Sequence, residues 1–172
     1  MTDSHDNALT QQIIGLAMRV HTRLGPGMLE KTYERCLCLE LDRSGLPYGN
    51  QVDMPLNYDG VLLDCGYRVD IIVRNEVLLE LKSVERILPV HEAQLHTYLR
   101  LSGCRIGLLM NFNTVSLKDG IRRRALQTWR EATRRCAADW CPCPRHSAAL
   151  RAIAPLPGPP APVHGSARSS LN

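Results

Sequence analysis

Two short apolar segments separated by three polar residues constrain the fold of this chain more than any other feature. Residues 69–73 and 77–81 are apolar except for one acidic residue in each, and Arg74, Asn75 and Glu76 lie between them. Apolar runs of this length around a turn are typical of two β-strands joined as a hairpin. Runs without polar alternation predict strands that are covered on both faces. We therefore expect this hairpin at the centre of an α/β sandwich.

The two acidic residues of this hairpin, Asp70 and Glu80, are candidate metal ligands. A turn centred on Asn75 pairs residues whose numbers sum to 150, which sets Asp70 opposite Glu80. Side chains alternate between the faces of a strand, so Glu80 and Lys82 share a face. Buried carboxylates that face each other are costly unless they are paired, protonated or bound to a metal. A divalent cation meets this need, and an ion pair with Lys82 or Arg68 at the rim of the sheet is the alternative.

Hydrophobic periodicity divides the rest of the chain into helices and strands. Helical spacing predicts a helix over 9–24, a second over 29–44 after Gly25-Pro26-Gly27, a third over 90–101 and a last, amphipathic one over 117–136. Strand patterns predict β-strands over 51–58, 61–73 with a break near Cys65-Gly66, 77–83 and 105–111, with Asp59-Gly60 as a hairpin turn.

The order of these elements is helix, helix, three strands, helix, strand, helix, and it predicts one α/β domain. The first three strands form a meander, and a helical crossover leads to the fourth. Three regions follow from composition: a disordered N-terminus at 1–8, the folded domain at 9–136, and a disordered tail rich in Pro, Ala and Ser at 137–172.

Charge and cysteine content bear on partners and compartment. The net charge is only +4, but basic residues are concentrated between Lys118 and Arg135. Such a helix either attracts an anionic polymer such as nucleic acid or is simply a solvated surface. An odd count of seven cysteines and a polar N-terminus without an apolar signal core predict a reduced, cytoplasmic protein. No apolar run reaches the ~20 residues of a membrane span, so we expect no membrane insertion.

Residues outside the hairpin are also candidates for substrate or metal contacts. Gln94 and Tyr98 are four residues apart on one helix, so they share a face that returns to the sheet and are able to orient a substrate, unless Tyr98 is a core residue. His91 is a candidate phosphate contact or a half-exposed helical side chain. Glu30 follows a glycine-rich break, where it is either a third carboxylate near the metal or an acid favoured by the helix dipole. The spacing of a final group argues against a zinc site at Cys136, Cys141, Cys143 and His146.

Several motifs in a fixed order resemble a known family. Gly27, Glu30 and Tyr33 fit a GxxExxY signature, and Asp70 with Glu80-Leu81-Lys82 fits the PD-(D/E)XK nuclease pattern. The chain resembles, over residues 9–124, the GxxExxY branch of the PD-(D/E)XK nuclease superfamily. The proline of the superfamily's name is absent, since Val69 precedes Asp70.

The resemblance implies a fold, a chemistry and a set of residues. The fold is a restriction-endonuclease-like core of helix, three-stranded meander, helix and strand, with a mixed sheet flanked by helices. The activity is hydrolysis of phosphodiester bonds with Mg2+ or Mn2+, and DNA is the expected substrate, with RNA as an alternative. The implied metal ligands are Asp70, Glu80 and Glu30, and the implied catalytic residues are Lys82, Glu30, Gln94 and Tyr98. Candidate nucleic-acid contacts are Arg68, His91, Lys118, Arg122, Arg123 and Arg124.

A second hypothesis keeps the fold but not the catalysis. In this hypothesis the chain is a catalytically silent module that binds nucleic acid or a partner protein through its basic C-terminal helix. A small nuclease-like domain is also compatible with a homodimer or a partner protein.

Overall fold

The computed structural model describes residues 3–126, with side chains from Asn7 onward. The helices are α1 (Asp3–Leu24), α2 (Glu30–Arg43), α3 (Pro89–Ser102) and the short α4 (Leu117–Gly120). The strands are β1 (Tyr48–Asp53), β2 (Leu56–Tyr58), β3 (Val61–Leu63), β4 (Arg68–Val73), β5 (Val77–Lys82), β6 (Ile106–Asn111) and β7 (Ile121–Ala125).

Five of these strands form one mixed sheet in the order β1-β4-β5-β6-β7. The neighbouring strands are antiparallel except for β5 and β6, which are parallel and are connected through α3. A parallel pair needs such a crossover, whereas an antiparallel pair needs only a turn. The predicted α/β class, with a mixed sheet and flanking helices, is confirmed.

The central hairpin has the predicted register. Its three ladder pairs are Ile71 with Leu79, Ile72 with Leu78 and Val73 with Val77. Arg74 and Asn75 both adopt positive φ, at 54° and 56°, and Glu76 N–H donates to the Val73 carbonyl at 3.0 Å. Two successive left-handed residues closed by this bond form the turn that suits the twist of a hairpin.

A hydrophobic core lies on each face of the sheet. Side chains of α1 and α2 pack on one face, against residues that include Ile71, Val73, Leu79 and Leu81. Side chains of α3 pack on the other face, against residues that include Val69, Ile72 and Leu78. Gly107 lets α3 come close to β6, because a Cβ there would lie 2.9 Å from Leu95 Cδ1. Both faces are therefore covered, as the apolar runs predicted.

The first predicted strand is wrong in its extent. Residues 51–58 contain the end of β1 and all of β2, which are separated at Met54 and Pro55. Proline has no N–H for a ladder, so the strand breaks there. β2 and β3 pair only with each other in a two-stranded sheet, joined at Asp59 and Gly60, which have φ of 49° and 83°. The meander is formed by β1, β4 and β5, with this small hairpin inserted.

The first helix begins earlier than predicted. α1 starts at Asp3, so residues 3–8 are helical rather than disordered. A helix continues beyond its apolar stripe where nothing breaks it, and no Gly or Pro lies in this stretch. In the part of the chain that the structure describes, no helix is both long enough and apolar enough to cross a membrane.

The predicted basic helix over 117–136 is wrong for its first part. Only Leu117–Gly120 is helical, and Ile121–Ala125 is the strand β7, antiparallel to β6. Pairing with β6 satisfies backbone groups of that buried strand, and this outweighs the local helical pattern. Residues 127–136, the tail 137–172 and the cysteine–histidine group discussed for zinc lie outside the described residues.

Candidate metal and catalytic site

Asp70 lies within the hydrogen-bonding plane of the sheet, between β4 and β5. Its Oδ2 accepts a hydrogen bond of 2.8 Å from the backbone N–H of Leu81. The regular β4–β5 ladder ends at the pair Ile71 and Leu79, next to the position where Asp70 would face Glu80. The Asp70 carboxylate therefore takes the place of a backbone carbonyl. Burial raises the pKa of Asp70, against the lowering effect of the Leu81 N–H and the Lys82 charge. Asp70 is thus a partly buried carboxylate at the end of the central hairpin.

Glu80 is almost completely buried, with 2 % exposure. Its Oε1 accepts a 2.7 Å hydrogen bond from Lys82 Nζ, whereas Oε2 is buried and has no hydrogen-bond partner. Burial, and then the charge of Asp70, raise the pKa of Glu80 to about 7. Burial opposes the charged form of Lys82, but the hydrogen bond to Glu80 and the charges of Glu80, Glu30 and Asp70 together outweigh burial and raise the pKa of Lys82. One oxygen of Glu80 is therefore left for a positively charged or donating group.

Glu30 is the first residue of α2 and is half-buried. Its charge contributes to the raised pKa of Glu80 and of Lys82, so it lies in the electrostatic range of the site. The loop before it is shaped by Gly25 and Gly27, both at positive φ. This conformation costs glycine little and other residues more.

Tyr33 ties this loop to the core and explains the second half of the GxxExxY signature. Its hydroxyl donates to the Gly25 carbonyl at 2.6 Å and accepts from Met28 N–H at 3.1 Å. Its ring stacks on Phe112 with the centroids 4.5 Å apart. The tyrosine is a structural residue that sets the start of α2, and with it the position of Glu30.

The segment after Lys82 is clamped by two side chains. Ser83 Oγ donates to the Met28 carbonyl at 2.7 Å. The buried Asn111 side chain forms two hydrogen bonds with the backbone of Val84, at 3.0 and 2.8 Å. These contacts hold the end of β5 against the loop before α2 and against β6. Residue spacing indicates neither clamp, because the partners are distant in the chain.

Three polar residues beside Asp70 were not identified from the sequence. Glu34, one turn after Glu30, is buried and accepts hydrogen bonds from the side-chain amides of Asn50 at 2.6 Å and Gln51 at 3.0 Å. The Gln51 amide also donates to Asp70 Oδ1 at 3.3 Å. The only signal in the sequence was the four-residue spacing of Glu30 and Glu34, which places both on one helix face.

Gln94 and Tyr98 are brought together on α3. Gln94 Nε2 donates to the Tyr98 hydroxyl at 3.0 Å. The Tyr98 ring packs edge-on against the Tyr67 ring, with the ring centroids 6.3 Å apart. Tyr98 packs in the same core as Leu78, and alternation along β5 puts Glu80 and Lys82 on the face of Leu78. The predicted pair therefore lies on the same face of the sheet as Glu80 and Lys82.

Among the predicted nucleic-acid contacts, Arg68 and Arg124 form ion pairs and His91 accepts a backbone hydrogen bond. Arg68 pairs with the exposed Asp53 at 2.8 Å. The His91 Nδ1 atom accepts a 3.2 Å hydrogen bond from the N–H of Leu88 at the start of α3. Arg124 pairs with Glu92 at 2.7 Å, which links β7 to α3.

The remaining candidates are Lys118, Arg122 and Arg123, and all three are exposed. Arg122 Nη1 donates to the Asp119 carbonyl at 2.8 Å, and Arg123 Nη2 donates to Asn7 Oδ1 at 3.4 Å. Because β7 is a strand, Arg122 and Arg123 point to opposite faces of the sheet. The expectation of one basic helical face is therefore wrong over β7.

The donor set at Asp70 and Glu80 is compatible with a hard divalent cation. Both side chains offer carboxylate oxygens, the ligand type that Mg2+ and Mn2+ prefer, and Glu80 Oε2 is a buried acceptor without a partner. Within residues 3–126, no three His, Cys, Asp or Glu side chains converge into a metal cluster. Mg2+ is commonly held by one or two carboxylates together with waters and phosphate oxygens, so two acids suffice.

Comparison with known proteins agrees with the fold. A family model described as the PD-(D/E)XK nuclease superfamily matches residues 7–124, which is more than half of the chain. The chain belongs to the PD-(D/E)XK nuclease superfamily. The matched range extends from α1 into β7, so β7 is part of the superfamily domain. Searches among curated proteins and among solved structures gave no match.

Membership in this superfamily confirms the broader part of the resemblance and supports a nuclease with a nucleic-acid substrate. PD-(D/E)XK nucleases are generally dependent on a divalent metal. The assignment to the GxxExxY branch, and the individual roles of the site residues, stay predictions.

Proposed function

We propose that this domain is a metal-dependent nuclease that hydrolyses phosphodiester bonds, with DNA as its first expected substrate and RNA as the alternative. The observation that carries the proposal is the buried Glu80 Oε2, which lacks a partner although Glu80 neighbours Asp70 and Lys82. An acid pair in this environment is costly unless a cation compensates it. Membership in the nuclease superfamily supports the same chemistry.

Asp70 and Glu80 would hold Mg2+ or Mn2+, together with the backbone carbonyl of Leu81 and waters. Such an ion lowers the pKa of a bound water and neutralises charge on the scissile phosphate. Asp70 would offer Oδ1, which accepts only a long hydrogen bond of 3.3 Å from Gln51, because Oδ2 holds the shorter 2.8 Å bond from Leu81 N–H. Glu80 would offer Oε2, since Oε1 is bonded to Lys82.

Lys82 supplies the fixed positive charge of the site. Its ammonium group is held 2.7 Å from Glu80 Oε1 and is largely shielded from solvent, with 14 % of the side chain exposed. A cation held in place in a poorly hydrated site stabilises charge that develops on a phosphate without needing to reorganise. Its free N–H groups also have the chemistry to orient the attacking water.

The other residues contribute substrate and metal contacts. Glu30, the acid of the GxxExxY motif, would complete the ion's shell through water. Gln94 and Tyr98 bind the nucleic-acid strand on the face of Lys82. The exposed cations that remain for phosphate contacts are Lys118, Arg122 and Arg123, with Arg68 and His91 as secondary contacts.

The test is a cleavage assay with the full chain. Labelled single- and double-stranded DNA and RNA are incubated with Mg2+, Mn2+ or chelator, using wild type and Asp70→Asn. Asparagine retains an oxygen that can accept the Leu81 N–H, so the variant removes charge rather than the whole contact. Asp59→Asn, in the exposed β2–β3 turn, is the matched control.

Cleavage that requires both the metal and Asp70, and that persists in Asp59→Asn, would support the nuclease and identify its substrate class. Binding without cleavage in every condition would refute it and favour the catalytically silent module.

A further inference from the structure

On both β1 and β4, the alternation of side chains between the two faces of the sheet is broken at one position. On β4, Ile71 and Val73 pack in the core under α1 and α2, but Val69 packs in the core under α3. Residues two apart on a regular strand share a face, so the alternation is broken at Asp70. β1 does the same at Gln51: Tyr48 packs against the first core and Val52 against the second.

The backbone of Gln51 explains this change. Its φ is +52°, in the left-handed region that side chains rarely adopt. The β1–β4 ladder pairs Asn50 with Ile71 and Val52 with Val69, so Gln51 is the residue opposite Asp70. A left-handed residue rotates the strand locally, and unfavourable backbone of this kind is concentrated at functional sites.

The Gln51 side chain makes use of that rotation. Its amide nitrogen lies between two carboxylates, 3.0 Å from Glu34 Oε2 and 3.3 Å from Asp70 Oδ1. Asn50 acts in parallel, since its amide donates to Glu34 Oε1 at 2.6 Å and to the Asp70 carbonyl at 3.1 Å. Both amides thus connect Asp70 to Glu34.

Glu34 is the fixed end of this arrangement. It is buried, with 7 % exposure, on α2, and each of its oxygens accepts from one of the two amides. The Asp70 side chain is in turn fixed from both sides, by Leu81 N–H on Oδ2 and by Gln51 on Oδ1.

From this geometry we propose that Gln51 is a positioning residue for the metal ligand Asp70, with Glu34 as its anchor. The inference rests on the proposed metal-dependent function. Gln51 fixes the orientation of the carboxylate through Oδ1, and Glu34 keeps the amide nitrogen directed at Asp70. Partners of metal ligands act in this way by fixing the ligand's orientation before the ion arrives.

The test is the affinity for Mn2+ measured by calorimetry on the full chain. Gln51→Ala and Gln51→Gly are each expected to weaken Mn2+ binding by roughly 10- to 100-fold. The glycine variant accepts positive φ without strain, so it is expected to keep the thermal stability of the metal-free protein. Gln12→Ala, an exposed glutamine on α1, is the control and is expected to bind Mn2+ like wild type.

Glu34→Gln extends the test, because a second amide facing Gln51 and Asn50 removes one of the two accepting oxygens. The Glu34→Gln, Gln51→Ala double variant is expected to lose no more Mn2+ affinity than whichever single variant binds Mn2+ more weakly, since both substitutions act through Asp70. In cleavage assays the half-saturating Mn2+ concentration rises in the Gln51 variants, while the rate at saturating Mn2+ recovers.

Three results would overturn the inference, and they differ in what they leave standing. Unchanged Mn2+ affinity in Gln51→Gly, or losses that add in the double variant, would refute the positioning role and leave the nuclease proposal standing. Absence of Mn2+ binding by wild type would refute both.

Discussion

Replacing Glu80 with glutamine is expected to stabilise the metal-free protein at pH 8 while removing its metal binding. The ordinary pKa of 4.5 applies in the unfolded chain, and the folded protein raises it to about 7. The folded state therefore favours the protonated form. The contribution of Glu80 to the free energy of unfolding is fully present below pH 4.5 and is lost progressively as the pH rises through 7.

The size of this effect follows from the two pKa values. At ~1.4 kcal/mol per pH unit, the difference between 4.5 and about 7 amounts to about 3 kcal/mol, most of which develops between pH 5 and pH 8. Glutamine is neutral throughout and keeps an oxygen for Lys82 Nζ, so it resembles the protonated acid. The stability difference between variant and wild type should thus be small at pH 5 and about 2 to 3 kcal/mol in favour of the variant at pH 8.

The assay is urea unfolding in the presence of chelator at both pH values, with Glu85→Gln, an exposed glutamate after β5, as the control. A stability difference that does not change between pH 5 and pH 8, or a variant that is less stable at pH 8, would refute the argument from burial and charge.

Three further predictions concern the site and its support. Saturating Mg2+ or Mn2+ is expected to raise the melting temperature of wild type but not of Asp70→Asn, since an ion at 100 times its Kd stabilises the folded state by about 2.7 kcal/mol; equal shifts in both proteins would contradict the assigned ligand. Lys82→Ala is expected to abolish cleavage and to leave DNA binding nearly intact in a gel-shift assay, and full activity in this variant would end the assignment. Gly120→Ala is expected to lower the free energy of unfolding by about 1 to 3 kcal/mol, because its Cβ would lie 2.3 Å from the Asn111 carbonyl oxygen; a urea titration with an unchanged midpoint would show that this turn can relax.

The central hairpin was predictable because its information is local. The apolar runs and the residues at Arg74 and Asn75 together determine the strands, the turn and the register, and the structure has all three. The acids at Asp70 and Glu80 were found for the same reason. Their detailed arrangement was not, since the carboxylate of Asp70 leaves the regular ladder to bond Leu81 N–H.

The errors arose where distant segments decide the outcome. Ile121–Ala125 has a helical pattern but forms a strand, because β6 presents an edge that it can pair with. Gln51 was overlooked because its role depends on a left-handed backbone and on Glu34, which belongs to another element. Neither the conformation nor the contact leaves a mark in residue spacing.

The hydrogen bond from Leu81 N–H to Asp70 gives Asp70 two roles. Asp70 serves the proposed chemistry through one oxygen and completes the sheet through the other. The ammonium group of Lys82 is tied to a side chain instead, since it pairs with the buried Glu80 carboxylate at 2.7 Å. Even without the proposed chemistry, selection for folding alone would therefore retain a hydrogen-bond acceptor at position 70.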